Sequence, residues 1–478
     1  MKGVRTFLKG LVVFMLLFVL MFSLCRCNKN ESSLTNSTSS VSSYPLHRHI
    51  KTTWFYVGEK GNQDNQYIPN IASAWDDIWL WHYGGVDDPS NRSGYFPAEF
   101  VPSENPFYFA LPFNDLDENG SFKEIAKTIP WYNETLLKKN GSILKNHWIK
   151  IIKGNKVAYA QWEDVGPFGE DDFEYVFGNA PPSNPINGAG LDVSPAVRDY
   201  LGLKDVDYVD WQFVDEKDVP DGPWKQIVTT TPVTWIDFAK ISLNTTWYWQ
   251  LQGTLRTDVP AELYDIDLFD TSQQQIEDLK SKGKIVICYF SAGTYEDWRP
   301  DASEFDPSDL GNTLSNYPDE RWLNINSPKV REIMKKRLDL AKTKGCDGVE
   351  PDNVDAYLHD TGFNITAKDQ FNYNRFIAIE AKKRGLLVGL KNDLDQVKEL
   401  VDYFDFAVNE QCHEYGECDK LMPFIQENKP VFNAEYDQKY INNQTAFKLL
   451  CEDSKKRNFR TIVVPVSLDG SFVKSCDY

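Results

Sequence analysis

Positive charge is in short supply in this chain. Its 51 Lys and Arg face 70 Asp and Glu, for a formal net charge of −19 over 478 residues. Neutralising phosphates takes clustered Lys and Arg, so nucleic acid is excluded as a partner. An acidic groove draws in a cationic ligand instead. Cysteine is missing between Cys27 and Cys288, and Cys288, Cys346, Cys412, Cys418, Cys451 and Cys476 all lie in the C-terminal half. No C-x2-C pair or cluster of histidines accompanies these six, which speaks against a metal and for disulfides in an exported domain. Six cysteines allow fifteen pairings. Closeness favours Cys412–Cys418 and Cys451–Cys476, leaving Cys288 for Cys346.

The N-terminus shows where such a chain goes. Lys2, Arg5 and Lys9 precede an apolar run from Leu11 to Leu24, which is short for a bilayer span and is followed by Cys25-Arg26-Cys27. Residues 1–27 read as a signal peptide or an uncleaved signal anchor. Phe22-Ser23-Leu24-Cys25 is a poor lipoprotein box, because Leu24 stands where a small residue belongs. The Ser/Thr/Asn-rich stretch 28–50 reads as a flexible linker. Asn-X-Ser/Thr sequons begin at Asn30, Asn36, Asn91, Asn119, Asn133, Asn140, Asn244, Asn364 and Asn443, which points to a eukaryotic secretory route. The expected location is extracellular, with membrane contact only if residues 11–24 remain as an anchor.

The length asks for two domains. From Trp54 to Thr230, strand-like runs alternate with Gly, Pro, Asn and Asp: Phe107–Leu111, His147–Ile152, Lys156–Trp162 and Val206–Val214. Lys153-Gly154-Asn155 is a hairpin turn, and Asp192–Gly202 reads as a capped helix stopped by glycine. The segments Trp162-Glu163-Asp164-Val165-Gly166-Pro167-Phe168 and Gly190–Val197 resemble the double-psi β-barrel of expansins and rare-lipoprotein-A-like proteins over about Asn105 to Asp215. That resemblance implies a small, mainly β domain over 51–231 that binds glycan. Asp192 matches the family's groove aspartate, which serves as the acid in lytic members; Asp192 as a plain helix cap is the alternative. Val165 replaces an arginine common in that family, which weakens an inference of lytic activity.

From Val233 onward the composition changes. Eight candidate strands are Trp247–Leu251, Tyr264–Leu268, Lys284–Ser291, Gly348–Glu350, Leu386–Leu390, Phe404–Val408, Pro430–Ala434 and Thr461–Val466. Helical patterns such as Ser272–Lys282, Val330–Lys344, Asp369–Arg384 and Asp393–Val401 lie between them. Three of these end in a basic residue followed by glycine. Eight alternating units over 232–478 predict a (β/α)8 TIM barrel, an α/β fold, behind the smaller β domain. In such a barrel chemistry sits at the C-terminal ends of the strands. Proline lacks the ladder donor, so Pro351 is expected to end the fourth strand.

Those strand ends carry Asp265 and Asp267, Tyr289, Glu350 and Asp352, Lys391 and Asn392, Asn409 and Glu410, and Glu435. No Ser-His-Asp order, Gly-rich phosphate loop or metal-spaced histidine joins them, so neither a metal nor another cofactor is expected. Carboxylates, amides and aromatics alone suit glycoside hydrolysis, where one carboxyl protonates the leaving oxygen and a second attacks the sugar or activates water. Buried strand acids (Asp265, Asp267) or a helix cap (Asp393) are the plain structural alternatives.

Tyr264–Asp270, Cys288–Gly293, Trp298-Arg299-Pro300, Gly345–Asn353, Val388–Asp393 and Ala407–Cys412 closely resemble glycoside hydrolase family 114, over about Trp247 to Tyr436. The resemblance implies endo-α-1,4-polygalactosaminidase activity on galactosamine-rich exopolysaccharide. It also implies Asp352 and Glu410 as the catalytic pair. By the layout of α-retaining barrels, Asp352 is the nucleophile and Glu410 the acid/base. Their carboxyls should then lie roughly 5–5.5 Å apart; a gap beyond about 6.5 Å would mean inversion. Asp265, Asp267, Tyr289, Lys391, Asn392, Asn409 and Glu435 are candidate substrate contacts, with Glu350 an inward-facing acid beside them. The chain is expected to be a monomer acting on polysaccharide. Two alternatives stay open: an exo-acting α-galactosidase, and a glycan-binding or wall-loosening protein with an inactive barrel.

Overall fold

The computed structural model describes residues 44–133, 141–315 and 317–478. The signal or anchor, most of the expected linker and the sequons at Asn30, Asn36 and Asn140 lie outside these residues.

Six strands close the first barrel: β1 (His47–Trp54), β2 (Tyr108–Leu111), β3 (Trp148–Lys153), β4 (Lys156–Val165), β5 (Leu191–Val193) and β6 (Asp207–Val214), in the order β1-β5-β2-β4-β3-β6. β1 with β5 and β2 with β4 run parallel, and the other pairs are antiparallel. β1 begins at His47, inside the stretch expected as linker, and its polar sequence HRHIKTTW gave no strand signal. Val209, Trp211 and Phe213 of β6 all point inward, as their alternation predicts. Trp75, Trp79, Trp162 and Trp211 are fully buried, so this domain spends these tryptophans on its core. The expected capped helix forms over Pro195–Leu201, with Gly202 in the left-handed region at φ +74°. Its cap is Ser194, whose side chain accepts from the Val197 amide, and not Asp192, which sits in β5.

The second barrel has eight parallel strands: β7 (Trp247–Gln250), β8 (Leu263–Asp267), β9 (Ile285–Ser291), β13 (Gly348–Asp352), β14 (Leu387–Lys391), β15 (Phe406–Glu410), β16 (Val431–Glu435) and β17 (Arg460–Val463). They pair in chain order, and an antiparallel β18 (Lys474–Ser475) follows on β17. The sheet curls on itself: the Trp247 indole donates to the Arg460 carbonyl at 2.8 Å, and the Tyr478 hydroxyl to the Trp247 carbonyl at 2.9 Å. Side chains alternate between two cores. Trp247, Trp249, Ile287, Phe406 and Phe432 fill the interior. Tyr264, Val286, Cys288, Val349 and Val388 pack outward against the helices. This is a TIM-barrel-like fold.

Local details differ from expectation in three places. Pro351 lies within β13, which runs on to Asp352. The ladder from β13 to β14 stops at Val349, so the missing proline N–H leaves no bond unmade on that side. The helix expected over 393–401 shrinks to Val397–Leu400, because Asn392 and Asp393 adopt left-handed φ values of +48° and +44°. Between β9 and the helix Pro328–Lys344 the chain inserts a three-stranded sheet: β10 (Thr294–Glu296), β11 (Leu310–Leu314) and β12 (Tyr317–Leu323).

All three expected disulfides form, with Cα–Cα distances of 6.1, 4.8 and 5.1 Å for Cys288–Cys346, Cys412–Cys418 and Cys451–Cys476. Among the described residues no helix is long and apolar enough to cross a membrane. The sequon asparagines Asn91, Asn119, Asn133, Asn244, Asn364 and Asn443 are all exposed. The first barrel touches the outer helices of the second: the Trp81 indole donates to the Tyr403 carbonyl at 3.3 Å, and Lys60 pairs with Asp402 and Glu427, each at 3.0 Å.

Candidate active site

The middle three strands of the large barrel bring acid, base and acid into a row. Asp352 ends β13, Lys391 ends β14 and Glu410 ends β15. The Lys391 ammonium lies 3.0 Å from Asp352 Oδ1 and 3.2 Å from Glu410 Oε2, so those two oxygens can be at most about 6.2 Å apart. The side chains of Asp352 and Glu410 keep 18% and 30% of their surface exposed, while Lys391 keeps 2%. Solvent, and therefore a ligand, reaches the two carboxylates but not the ammonium between them.

Each carboxylate is also held by a tyrosine. Tyr289 donates to Asp352 Oδ2 at 3.0 Å, and the Asn353 amide to Oδ1 at 2.7 Å. Tyr436 donates to Glu410 Oε1, and Asn392 Nδ2 to Oε2 at 3.2 Å. Burial, with the neighbouring carboxylates, pushes both phenols well above their usual range and keeps them as donors. Burial would raise Glu410 too, but Lys391, Tyr436 and Asn392 outweigh it and hold its carboxyl below the usual value. Burial would likewise lower Lys391, yet Asp352, Glu410 and Glu350 keep it charged.

Beneath this row lies a second acid pair. Glu350 is fully buried and faces Lys391 at 3.5 Å, and Trp249 Nε1 donates to its other oxygen at 3.1 Å. Asp265 is also fully buried, and neither of its oxygens meets a conventional donor. Burial pushes Asp265 up to about 7, while burial and the Asp265 charge push Glu350 well above its range. Two such acids this close retain a proton between them at neutral pH. The unfolded chain has lost that proton above pH ~4, so stability falls as pH climbs from about 4 to about 7. Asp265→Asn keeps the shape and removes the titration, so melting temperature against pH should flatten over that interval. An unchanged slope would place the proton elsewhere.

The remaining expected contacts are distributed differently. Asn392 Oδ1 accepts from the Glu410 amide at 3.0 Å and from Asn409 at 3.2 Å. Asn409, itself buried, accepts from Asn433 at 3.1 Å and thereby props Asn392 from below. Asp267 is occupied by Arg299 at 2.7 and 3.0 Å and by the Phe269 and Asp270 amides. Glu435 accepts from the His413 amide at 3.0 Å, turned away from its neighbour Tyr436. Asp192 belongs to the other barrel: it accepts from Thr53, and burial pushes its carboxyl up to about 7, beside Glu59 and Asp164.

Backbone strain gathers at these strand ends. Asn353, Asn392, Asp393 and Gln411, which follow β13, β14 and β15, all have φ between +44° and +63°. Gly293 lies so close to Asn353 that an added Cβ would fall 1.7 Å from its carbonyl oxygen. Two residues on the inserted sheet were not anticipated. Tyr317 is 54% exposed, and its phenol feels Glu410, Glu320 and Asp352. Glu320 accepts from Thr294 Oγ1 at 2.8 Å, and burial pushes it up to about 7. Tyr436 also went unsingled, since a tyrosine at a strand end has no mark in sequence beyond its place.

An eight-stranded parallel barrel with solvent-reachable carboxylates at the ends of its fourth and sixth strands is the framework of a carboxylate-dependent glycoside hydrolase. Residues 228–478 match the model of glycoside-hydrolase family GH114, and the chain belongs to that family. Among solved structures, Aspergillus fumigatus Ega3 in complex with galactosamine is 40% identical and is matched over 50% of this chain and 100% of its own, with a TM-score of 0.47. The glycoside hydrolase domain of PelA from Pseudomonas aeruginosa is 12% identical over 47% of this chain and 96% of its own, with a TM-score of 0.39. A trehalulose synthase MutB variant is 12% identical over 41% of this chain and 58% of its own, with a TM-score of 0.31. No curated protein matches the chain.

Proposed function

We propose that this enzyme is an exported, endo-acting hydrolase of α-1,4-linked galactosamine polymer that retains anomeric configuration. The observation that carries the reading is the Asp352–Lys391–Glu410 row. Two solvent-reachable carboxylates share one buried ammonium, which caps the gap between the two oxygens it holds at about 6.2 Å, short of the roughly 6.5 Å or more that inversion uses. Asp352 attacks the anomeric carbon from the β face while Glu410 gives its proton to the departing oxygen. A water then gives a proton to Glu410 and displaces Asp352, releasing the α product. Tyr289 and Lys391 aim the Asp352 carboxylate; Tyr436 and Asn392 aim Glu410.

The sugar follows from charge. Asp352 and Glu410 share the single ammonium of Lys391, and the chain as a whole carries a formal net charge of −19, which favours a protonated amino sugar over a neutral hexose. Galactosamine, named for the Ega3 complex, is such a sugar. Export fits the three disulfides and the exposed sequons. The first barrel, with two parallel strand pairs in a mixed closed sheet, fits a double-psi-like domain that holds polymer near the active site. Incubation with de-N-acetylated α-1,4-galactosaminan should release a ladder of oligosaccharides. Monosaccharide alone, together with cleavage of p-nitrophenyl α-galactoside, would instead make the enzyme an exo-acting α-galactosidase.

The lowered pKa of Glu410 has a kinetic consequence. The acid must be protonated in the free enzyme, so kcat/KM declines as pH rises through that pKa and the optimum is acidic. Lys391→Met removes the ammonium that holds Glu410 down, so the alkaline limb of the pH–rate profile should move upward. A limb that stays in place would detach Lys391 from the titration.

A further inference from the structure

Asp76, His82 and Glu104, all in the long connection between β1 and β2, each bring one donor atom within 4.8 Å of the others. Asp76 is fully buried and Glu104 is 2% exposed. Asp76 Oδ1 accepts from the Ile78 amide at 3.1 Å, and Oδ2 lies 2.6 Å from His82 Nδ1. Neither oxygen of Glu104 has a hydrogen-bond partner, although Lys145 and the Thr231 side chain stand close enough to favour its charged form. A nine-tenths-buried carboxylate aimed into a polar cluster with no donor lacks a partner that the cluster is built to receive.

Charge says what kind. Lys145 pairs with Glu163 at 2.8 Å, both side chains being buried. Asp76, Glu104 and Glu163 together set three carboxylates against one ammonium, an excess of two negative charges where desolvation makes each expensive. We propose that Asp76, His82 and Glu104 form a binding site for one divalent cation. A mixed imidazole–carboxylate set suits Zn2+ or Mn2+ better than Ca2+ or Mg2+, which favour oxygen alone. With ligands at about 2.0–2.2 Å, neighbouring ligand atoms around a tetrahedral Zn2+ stand roughly 3.3–3.6 Å apart, so the widest gap in the cluster, within 4.8 Å, closes by no more than about 1.5 Å.

Its effect is to brace a junction. The Asp76 segment pairs with the link between the barrels: the Asp77 amide donates to the Thr234 carbonyl at 2.9 Å, and the Thr234 amide to the Trp75 carbonyl at 2.9 Å. His82 belongs to the helix Trp79–Tyr83, whose Trp81 meets Tyr403 and receives the Lys382 ammonium 4.9 Å above its ring. One ion therefore ties the first barrel, the link and the contact with the second barrel together.

The test uses the purified full chain, stripped with chelator and dialysed against Zn2+ or Mn2+, with metal content by mass spectrometry and melting by circular dichroism. One retained ion per chain is expected. At a free ion concentration 100 times Kd the folded-to-unfolded ratio rises about 100-fold, read as a higher melting temperature. Both effects vanish in Glu104→Gln and His82→Ala and survive in Asp352→Asn, which excludes the catalytic carboxylates as the ligands. If His82→Ala does not fold, the isosteric Glu104→Gln carries the comparison alone. No retained ion and no rise with either metal would overturn the site and leave two protons as the neutralising charge. Retention undiminished in Glu104→Gln would overturn it equally.

Discussion

Asp352→Asn should leave the enzyme folded and lower kcat on galactosaminan by roughly 10^4- to 10^6-fold, the range lost when a covalent nucleophile is removed. The amide keeps the shape of the carboxylate: its oxygen can still accept from Lys391 and the Asn353 amide while its NH2 donates to the Tyr289 oxygen, so the loss belongs to the missing charge and not to a rearranged site. Binding should survive, because much of the groove, including Tyr317 and Glu320, is untouched. Asp352→Gly should regain turnover with azide and a substrate bearing a good leaving group, giving the β-glycosyl azide. Equal losses of binding and turnover, or an azide product of α configuration, would assign Asp352 another task.

Glu410→Gln has the second-largest expected effect, about 10^2- to 10^4-fold on the polymer, the usual contribution of a positioned acid or base. Its signature is selectivity. The sugar leaving group of the polymer needs a proton, whereas an aryl leaving group of low pKa does not. The first step on an activated aryl galactosaminide should therefore proceed at near wild-type rate, followed by a slow second step, because Glu410 also activates the water. A burst of phenol with accumulating glycosyl-enzyme is the expected trace, and azide should relieve the block with α product. Equal impairment on both substrates would show that Glu410 positions the sugar and does not move the proton.

These roles lean on side chains that the sequence displays unequally. The barrel strands are buried on both faces and read as short apolar runs, so six of their eight ends carried visible polar residues; Asp352, Lys391 and Glu410 were apparent as strand-terminal charges. Their convergence on one ammonium was not, since register across three strands depends on barrel curvature. Tyr436 and Glu435 illustrate the limit: the last residue of β16 and the one that follows it point opposite ways, and only the structure shows that Tyr436 meets Glu410. The inserted sheet Thr294–Leu323 was invisible because its strands are short and polar, broken by Gly311 and Pro318. In the first barrel, β5 is three residues long and was absorbed into the helix that follows it.

Retention of configuration by the Asp352–Glu410 pair is tested most directly by the anomer released first. Proton NMR of wild-type digestion of α-galactosaminan should show the α-anomer of the new reducing end before mutarotation builds the β form. Initial β-anomer would mean that water attacks directly, and Asp352 could not be the nucleophile.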